Sequence, residues 1–354
     1  MTSTTTSPAA GGSPPAWRVV LAGLLMGLAN LVPGVSGGTM ILAMGLYDRF
    51  IGALADVSRL RLSRDAVLFL GLVAVGAAGA LVGFSGLAVA LVTEQRWIMY
   101  SLFIGMTLGG APDLLAECRP LRPASVLAFL VTFALMAALA RGLEGAALPE
   151  TIPVLLLMGV LGASSMILPG VSGSYMLLIF GMYDVVVGSL SASALRAAPV
   201  ESLAVLAPVG VGAVLGMALF SNGLRHLLAR HSAATHAALL GLLVGSVLGL
   251  WPFREPANPD LASKPLRKSV VMLLEGAELE AVEARHGLGI DEARAQELRE
   301  AYRGLGPGEL KRRGDELVRF EPTGIQVAAA LGLFVAGFAL TRLLGRRGAA
   351  AERS

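Results

Sequence analysis

The feature that most constrains this chain is a 22-residue segment that occurs twice. Pro33 to Leu54 (PGVSGGTMILAMGLYDRFIGAL) aligns without gaps onto Pro169 to Leu190 (PGVSGSYMLLIFGMYDVVVGSL), with 12 identical positions at an offset of 136 residues. The same offset relates two further pairs of glycines, Gly105 with Gly241 and Gly109 with Gly245. Self-similarity at a fixed spacing indicates a duplicated structural unit. We therefore predict two copies of one unit.

Long apolar runs place both units in a bilayer. The run from Val67 to Val92 carries no charge and exceeds the roughly 20 residues that cross a membrane. Only 15% of the 354 residues are charged, against about 25% in soluble domains. The chain is therefore predicted to be an all-α polytopic membrane protein. Its hydrophobic segments are predicted at 18–31, 38–55, 66–92, 97–115, 124–139, 152–168, 174–190, 203–224, 236–250 and 325–344.

The first of these segments is too short to span alone. Its 14 residues make about 21 Å of helix, whereas the hydrocarbon core is about 30 Å thick. It ends at Pro33-Gly34-Val35-Ser36-Gly37-Gly38, which predicts a break and a returning helix. Each unit then holds one broken, re-entrant hairpin and three transmembrane helices. Because either way of counting the hairpin gives an odd number of crossings, the two copies are predicted to be inverted-topology repeats, as in many transporters.

The predicted organisation places a disordered tail at 1–16, repeat 1 at 17–141, repeat 2 at 142–345 and a second tail at 346–354. Repeat 2 contains a polar insertion at 252–322 with 12 basic and 14 acidic residues. The positive-inside rule predicts that both termini are cytoplasmic and that the insertion is outside. The arginines assigned to the cytoplasmic side are Arg18, Arg59, Arg61, Arg64, Arg119, Arg122, Arg225, Arg230, Arg342, Arg346, Arg347 and Arg353, against Arg96, Arg141 and Arg196 opposite.

The repeated break is the first candidate site. Its free backbone N–H groups, its serine hydroxyl and the start of the following helix would converge at one point inside the membrane, where unsatisfied amides are costly. A phosphate oxygen is the natural partner of such a group. The alternative is a packing kink with glycines for close helix contact. The candidate phosphate ligands are Ser36, Gly37, Gly38 and Thr39 with Ser172, Gly173, Ser174 and Tyr175.

A second set of polar residues lies beside the breaks. Asp48 and Asp184 occupy matching positions near the far end of each returning helix, so each could bind a coupling proton or cation. They could instead lie hydrated at headgroup level, with the preceding tyrosines in the aromatic belt. Arg49 and Asn30 have no counterparts in the other copy and are weaker headgroup candidates.

Several functions are excluded or disfavoured by composition. A net charge of +3 and 6% aromatic residues argue against nucleic-acid binding. The single Cys118 excludes a disulfide framework and a cysteine metal cluster. The sequence contains no metal-ligand spacing and no catalytic motif. We therefore expect neither a metal nor another cofactor, and no enzymatic activity.

Two segments, Gly27 to Ile51 and Met166 to Asp184, resemble the paired signatures of the polyprenyl-phosphate transporter family, and the similarity extends from Trp17 to Leu344. The resemblance implies translocation of undecaprenyl phosphate, a polyprenyl-phosphate lipid carrier, from the outer to the inner leaflet of the cytoplasmic membrane. It implies a role in recycling this carrier for cell-envelope synthesis. It also implies that the motif serines and glycines bind the headgroup.

Two alternative functions remain open. An integral-membrane polyprenyl-diphosphate phosphatase also holds a lipid phosphate with a Pro-Gly-x-Ser element. Such an enzyme is expected to place an arginine after the serine and glutamates nearby, whereas glycine follows Ser36 and Ser172 here. An inverted-repeat transporter of a small anion is the second alternative.

Overall fold

The fold was analysed in a computed structural model that describes residues 14–31, 36–140, 148–173, 176–177, 180–189, 196, 198–262, 264–287 and 289–351. The chain divides into two compact units. The first contains Met1–Val89, Tyr100–Trp251 and Ala329–Ser354, and the second contains Ala90–Met99 and Pro252–Ala328.

The first unit is built from helices. In chain order these are α1 (Ala16–Leu31), α2 (Gly37–Ala43), α3 (Tyr47–Ser58), α4 (Arg64–Glu94), α5 (Arg96–Gly109), α6 (Ala111–Glu117), α7 (Pro123–Ala140), α8 (Ile152–Ile167), α9 (Tyr183–Ser189), α10 (Pro199–Arg230) and α11 (Ser232–Ser246). Three of the described helices belong to both units: α4 ends in the second unit, α5 begins in it, and the last helix of the chain, α16 (Gly324–Ala351), begins in the second unit and ends in the first.

Apolar composition along these helices confirms a multi-pass membrane protein. By length and hydropathy, five stretches of the described residues could cross a bilayer: Arg96–Glu117, Pro123–Ala140, Pro199–Arg230, Ser232–Leu250 and Gly324–Leu343. The apolar helices Ala16–Asn30 and Ile152–Ile167 are shorter, and the first of them corresponds to the short segment predicted at 18–31.

A glycine turn interrupts the returning helix of each copy. Gly45 and Gly181 lie at matching positions and have φ angles of +67° and +68°. This left-handed conformation is one that residues other than glycine rarely adopt. The N–H of Leu46 donates to Ile41, and the matched N–H of Met182 donates to Leu177. The turn separates α2 from α3, so the single segment predicted at 38–55 is two helices. Asp48 and Asp184 consequently lie in the first turns of separate helices, which corrects their predicted position at the end of the returning helix.

Glycines also bring the same two helices into contact in both copies. Helix α1 crosses α4 in the first copy, and α8 crosses α10 in the second. The matched approaches, given as the distance from an added Cβ to a carbonyl oxygen, are Gly23 to Val73 (2.2 Å), Gly159 to Val209 (2.1 Å), Gly76 to Val20 (2.2 Å) and Gly212 to Leu156 (2.0 Å). The duplication therefore includes the packing of helices that the motif itself does not cover.

Two further helix pairs each join a helix of one copy to a helix of the other. Helix α5 of the first copy packs on α16, where an added Cβ on Gly105 would lie 2.1 Å from the Phe334 carbonyl oxygen. Helix α11 of the second copy packs on α7, where the matched distance from Gly241 to the Phe129 carbonyl oxygen is 2.4 Å. Phenylalanine pairs stack at corresponding places, Phe129 on Phe133 and Phe334 on Phe338. Each copy thus packs two of its helices against helices of the other copy.

The second unit has its own small core. Strands β1 (Arg254–Pro256) and β2 (Leu317–Arg319) pair antiparallel. Between them lie four helices, namely α12 (Lys264–Leu274), α13 (Leu279–His286), α14 (Glu292–Ala301) and α15 (Pro307–Asp315). Asp291 caps α14 by accepting from the Arg294 N–H at 2.8 Å. The fully buried Leu261, Val270 and Val282 belong to this core.

Candidate functional site

The break in the second copy is a tight turn that its sequence explains. Pro169 and Gly170 occupy the central positions of a four-residue turn, and the Val171 N–H donates to the Leu168 carbonyl at 3.4 Å. Gly170 has a φ of +86°, as the third residue of a type II turn requires. Proline fixes the position before it, so the Pro-Gly pair specifies this turn.

Three hydroxyl side chains of the first copy bind the backbone of this turn. Ser36 Oγ donates to the Leu168 carbonyl at 2.9 Å. Thr39 Oγ1 accepts from the Gly170 N–H at 2.9 Å. The hydroxyl of Tyr47 donates to the Ile167 carbonyl at 3.1 Å.

All three of these side chains are removed from solvent. Ser36, Thr39 and Tyr47 are 2%, 1% and 3% exposed, respectively. Their hydrogen bonds join parts of the chain that lie 120 to 132 residues apart. Polar groups in such a position need partners, because an unpaired one is costly away from water. The two breaks therefore meet at one buried polar junction.

Glycine allows the two breaks to approach closely. A Cβ added to Gly38 would lie 2.9 Å from the Met166 carbonyl oxygen and 3.0 Å from that of Ile167. The start of α2 therefore faces the carbonyl groups at the end of α8. Opposite partial charges at the two helix ends favour this arrangement.

Within each hairpin the glycine after the motif serine touches the first arm. A Cβ on Gly37 would lie 2.8 Å from Asn30 Oδ1, and one on Gly173 would lie 3.0 Å from Met166 Cγ. Asn30 and Met166 are matched by the repeat, so a polar side chain in the first copy replaces an apolar one in the second. Asn30 is thus beside the candidate site, as its sequence position suggested.

The other predicted residues are divided between the junction and its surroundings. Ser172 and Gly173 are buried next to the turn. Ser174 and Tyr175 lie outside the described residues, and so does the side chain of Asp184. Asp48 is exposed in the first turn of α3.

The described contacts of Arg49 are with α4. Its Nη2 lies 2.8 Å from Asp65 Oδ1, and its guanidinium lies 5.4 Å from the ring centroid of Phe69. Both partners belong to α4, so the described contacts of Arg49 stabilise helix packing.

The sequence does not identify two buried residues of the first copy as site residues: Tyr47, which lies at the junction, and Arg18, which binds the other end of α2. The sequence predicts Tyr47 only as a neighbour of Asp48 in the aromatic belt. The positive-inside rule predicts Arg18 as a cytoplasmic charge, but it is 3% exposed and donates from Nη2 to the Met44 carbonyl at the end of α2. The repeated tyrosine was a signal for the first, whereas Val154 replaces Arg18 in the second copy and gave none for the other.

Comparison with known proteins decides the family. A family model described as undecaprenyl phosphate translocase-like matches residues 26–264, which include both copies of the motif. The chain belongs to the undecaprenyl phosphate translocase-like family.

Two relatives of this translocase-like chain support the assignment. It is 30% identical over 247 residues to the polyprenyl-phosphate transporter of Vibrio cholerae serotype O1, covering 66% of this chain and 77% of the relative. It is also 30% identical over 247 residues to the polyprenyl-phosphate transporter of Staphylococcus aureus, covering 67% of this chain and 86% of the relative. No solved structure matches this family member.

Proposed function

We propose that this chain translocates undecaprenyl phosphate from the outer to the inner leaflet of the cytoplasmic membrane and so recycles the carrier for cell-envelope synthesis. Its family membership and the names of its relatives support a polyprenyl-phosphate substrate. The observation that carries the proposal is the meeting of the two breaks at a buried polar junction. A lipid phosphate needs such a polar site to cross the apolar core.

The proposed headgroup ligands are the motif groups of both copies. Hydroxyl and N–H donors that are already shielded from water bind an anion more strongly than they would in solvent. Asn30 is proposed to add one polar contact on the first side. Ligands from the first copy are Ser36, Gly37 and Gly38, and those from the second are Ser172, Gly173, Ser174 and Tyr175. Thr39, the fourth ligand that the sequence predicts in the first copy, is not proposed as a ligand because its Oγ1 accepts from the Gly170 N–H.

The proposed mechanism is alternating access by two inverted repeats. The matched glycine contacts and the reciprocal exchange of α5 and α11 support a two-fold relation between the copies. Re-entrant hairpins would place both breaks near the midplane, and rocking of the halves would expose the site to each leaflet in turn. The headgroup would enter the junction while the polyprenyl tail stayed in lipid.

Coupling is proposed to involve Asp48 and Asp184. Both lie in the first turn of the helix that follows a broken hairpin, so movement of a hairpin would change their surroundings. A proton or a cation is the expected coupling species. Arg49 is the weakest of the proposed headgroup or coupling residues because Asp65 already binds it.

The proposed function can be tested with purified protein in vesicles. Labelled undecaprenyl phosphate is incorporated into both leaflets, and a membrane-impermeant phosphatase reports the fraction that reaches the outside. We expect the protein to expose nearly the whole pool, whereas protein-free vesicles should expose about the outer-leaflet share. An unchanged exposed fraction would reject the proposal.

The same preparation separates the two alternatives. Release of inorganic phosphate from undecaprenyl diphosphate by the protein alone would identify a phosphatase. Uptake of free phosphate into vesicles, with no movement of the lipid, would identify a small-anion transporter. Both relatives are named as transporters, which favours transport over hydrolysis.

A further inference from the structure

The three hydroxyl contacts between the breaks form one device, which we call the hydroxyl clasp. It consists of Ser36, Thr39 and Tyr47 on one side and the backbone of residues 167–170 on the other. Every side chain in the clasp comes from the first copy, and every backbone partner comes from the second. The clasp therefore fixes the second break through the first.

The clasp occupies two donors at the junction, namely the hydroxyl of the proposed ligand Ser36 and the Gly170 N–H, two residues before the proposed ligand Ser172. Ser36 Oγ has one hydrogen, which it gives to the Leu168 carbonyl. The Gly170 N–H likewise has one hydrogen, which it gives to Thr39 Oγ1. Each of these donors would have to exchange its acceptor before it could bind a phosphate oxygen.

Carbonyl oxygens also occupy the space beside these donors. Those of Met166, Ile167 and Leu168 lie 2.9 to 3.3 Å from the Cβ position of Gly38. Their partial negative charges would repel an anion brought to the same place. The clasped arrangement and a phosphate bound at the junction therefore exclude each other.

We propose that Thr39 and Tyr47 are positioning residues that set the affinity for the lipid phosphate, because they hold the second break in the arrangement that excludes it. Thr39 Oγ1 takes the place of a phosphate oxygen on the Gly170 N–H, and Tyr47 secures the carbonyl end of α8. This inference rests on the proposed function and specifies how its site is kept closed in the absence of lipid. It assigns Thr39 a role other than direct binding of the headgroup.

Weakening the clasp should therefore tighten binding. Tyr47→Phe removes only the hydroxyl that binds Ile167 and touches no proposed ligand. Thr39→Val keeps the side-chain shape but removes the acceptor from the Gly170 N–H. An unsatisfied buried group destabilises the clasped arrangement, which shifts the population towards the state that binds phosphate. We expect each variant to lower the apparent Kd by about fivefold.

The experiment measures binding of undecaprenyl phosphate to the full chain in lipid nanodiscs. Thr341→Val is the matched control, because Thr341 also donates a buried hydroxyl hydrogen bond to a backbone carbonyl, that of Met106 at 3.1 Å. This control should leave the Kd unchanged. Thr39→Ser restores the acceptor and should return the Kd to the wild-type value.

The outcomes separate the inference from the function on which it rests. If the wild type binds and Tyr47→Phe binds no more tightly, the clasp proposal is overturned. If Tyr47→Phe does not fold, Thr39→Val decides: tighter binding supports the clasp, and equal or weaker binding overturns it. Failure of the folded wild type to bind undecaprenyl phosphate overturns the proposed function and the inference together.

Discussion

Arg18 lies in the first turn of α1, and its guanidinium donates to the Met44 carbonyl where α2 ends. In the second copy the matched carbonyl, that of Phe180, accepts instead from the backbone N–H of Leu148 at 3.4 Å. A charged side chain and a neutral amide thus serve the same helix end. Both bonds satisfy a carbonyl group of the last helical turn, where the helix itself supplies no N–H donor.

Arg18→Met should destabilise the folded protein. The change leaves the Met44 carbonyl without this donor, which costs about 1–3 kcal/mol of unfolding free energy. Arg18→Lys keeps a cationic donor and should lose less. Thermal unfolding in detergent measures both, with Arg59→Met at an exposed arginine as the control, expected within about 0.5 kcal/mol of the wild type. An unchanged midpoint for Arg18→Met would contradict this assignment.

At the scale of residues, the sequence predicts which residues lie at the junction better than it predicts their hydrogen-bond partners. The repeated Ser36 and its motif were identifiable because the motif occurs twice. The bond from Ser36 to Leu168 was not, since it joins residues 132 positions apart and depends on how the helices pack. The bond from the Gly170 N–H to Thr39 was harder still to predict, because Tyr175 replaces Thr39 in the second copy.

At the scale of helices, the break at Pro169-Gly170 was predictable, because proline and glycine together disfavour a continuous helix. Pro33 and Gly34 of the first motif lie outside the described residues. The second interruption, at Gly45 and Gly181, was not predicted from the same segments. A glycine within an apolar run is compatible with a helix interior, and only its left-handed conformation distinguishes a turn. Close helix contacts at glycine likewise could not be predicted from the sequence, because they depend on which helix packs against each glycine.

Two glycines on α10 provide a matched test of these contacts. A Cβ on Gly212 would lie 2.0 Å from the Leu156 carbonyl oxygen, whereas one on Gly210 would have nothing within 4 Å. Gly212→Ala must separate α8 from α10 and should cost about 1–3 kcal/mol of unfolding free energy. Gly210→Ala should be neutral or stabilising by up to about 1 kcal/mol. Equal effects in a thermal unfolding assay would contradict the close helix contact.

At the scale of the whole chain, the duplication predicted two similar halves but not their exchange of helices. The offset of 136 residues relates α5 to α11, but it does not relate α7 to α16, because the insertion displaces the last helix. Their places as the last helix of each copy predict that the two correspond, and the matched contacts of Phe129 and Phe334 support it. The insertion itself was predicted as a polar segment, and it belongs to a small compact unit with its own core.

The proposed orientation in the membrane can be tested by labelling single cysteines. Cys118 is buried and is first replaced by serine. In this background, Glu300→Cys in the insertion should react with an impermeant maleimide added to intact cells. Arg59→Cys, at an exposed site between α3 and α4, should react only after permeabilisation. The reverse pattern would show that the orientation is wrong.

Transbilayer movement by the double variant Ser36→Ala and Ser172→Ala is the most direct measurement of the central claim, that the two breaks together carry a lipid phosphate. In the vesicle assay, the double variant should lose most of the undecaprenyl phosphate movement that the wild type supports, because one hydroxyl is missing from each copy. Thr341→Val, which removes a buried hydroxyl elsewhere, should retain it. Full movement by a folded double variant would contradict the claim.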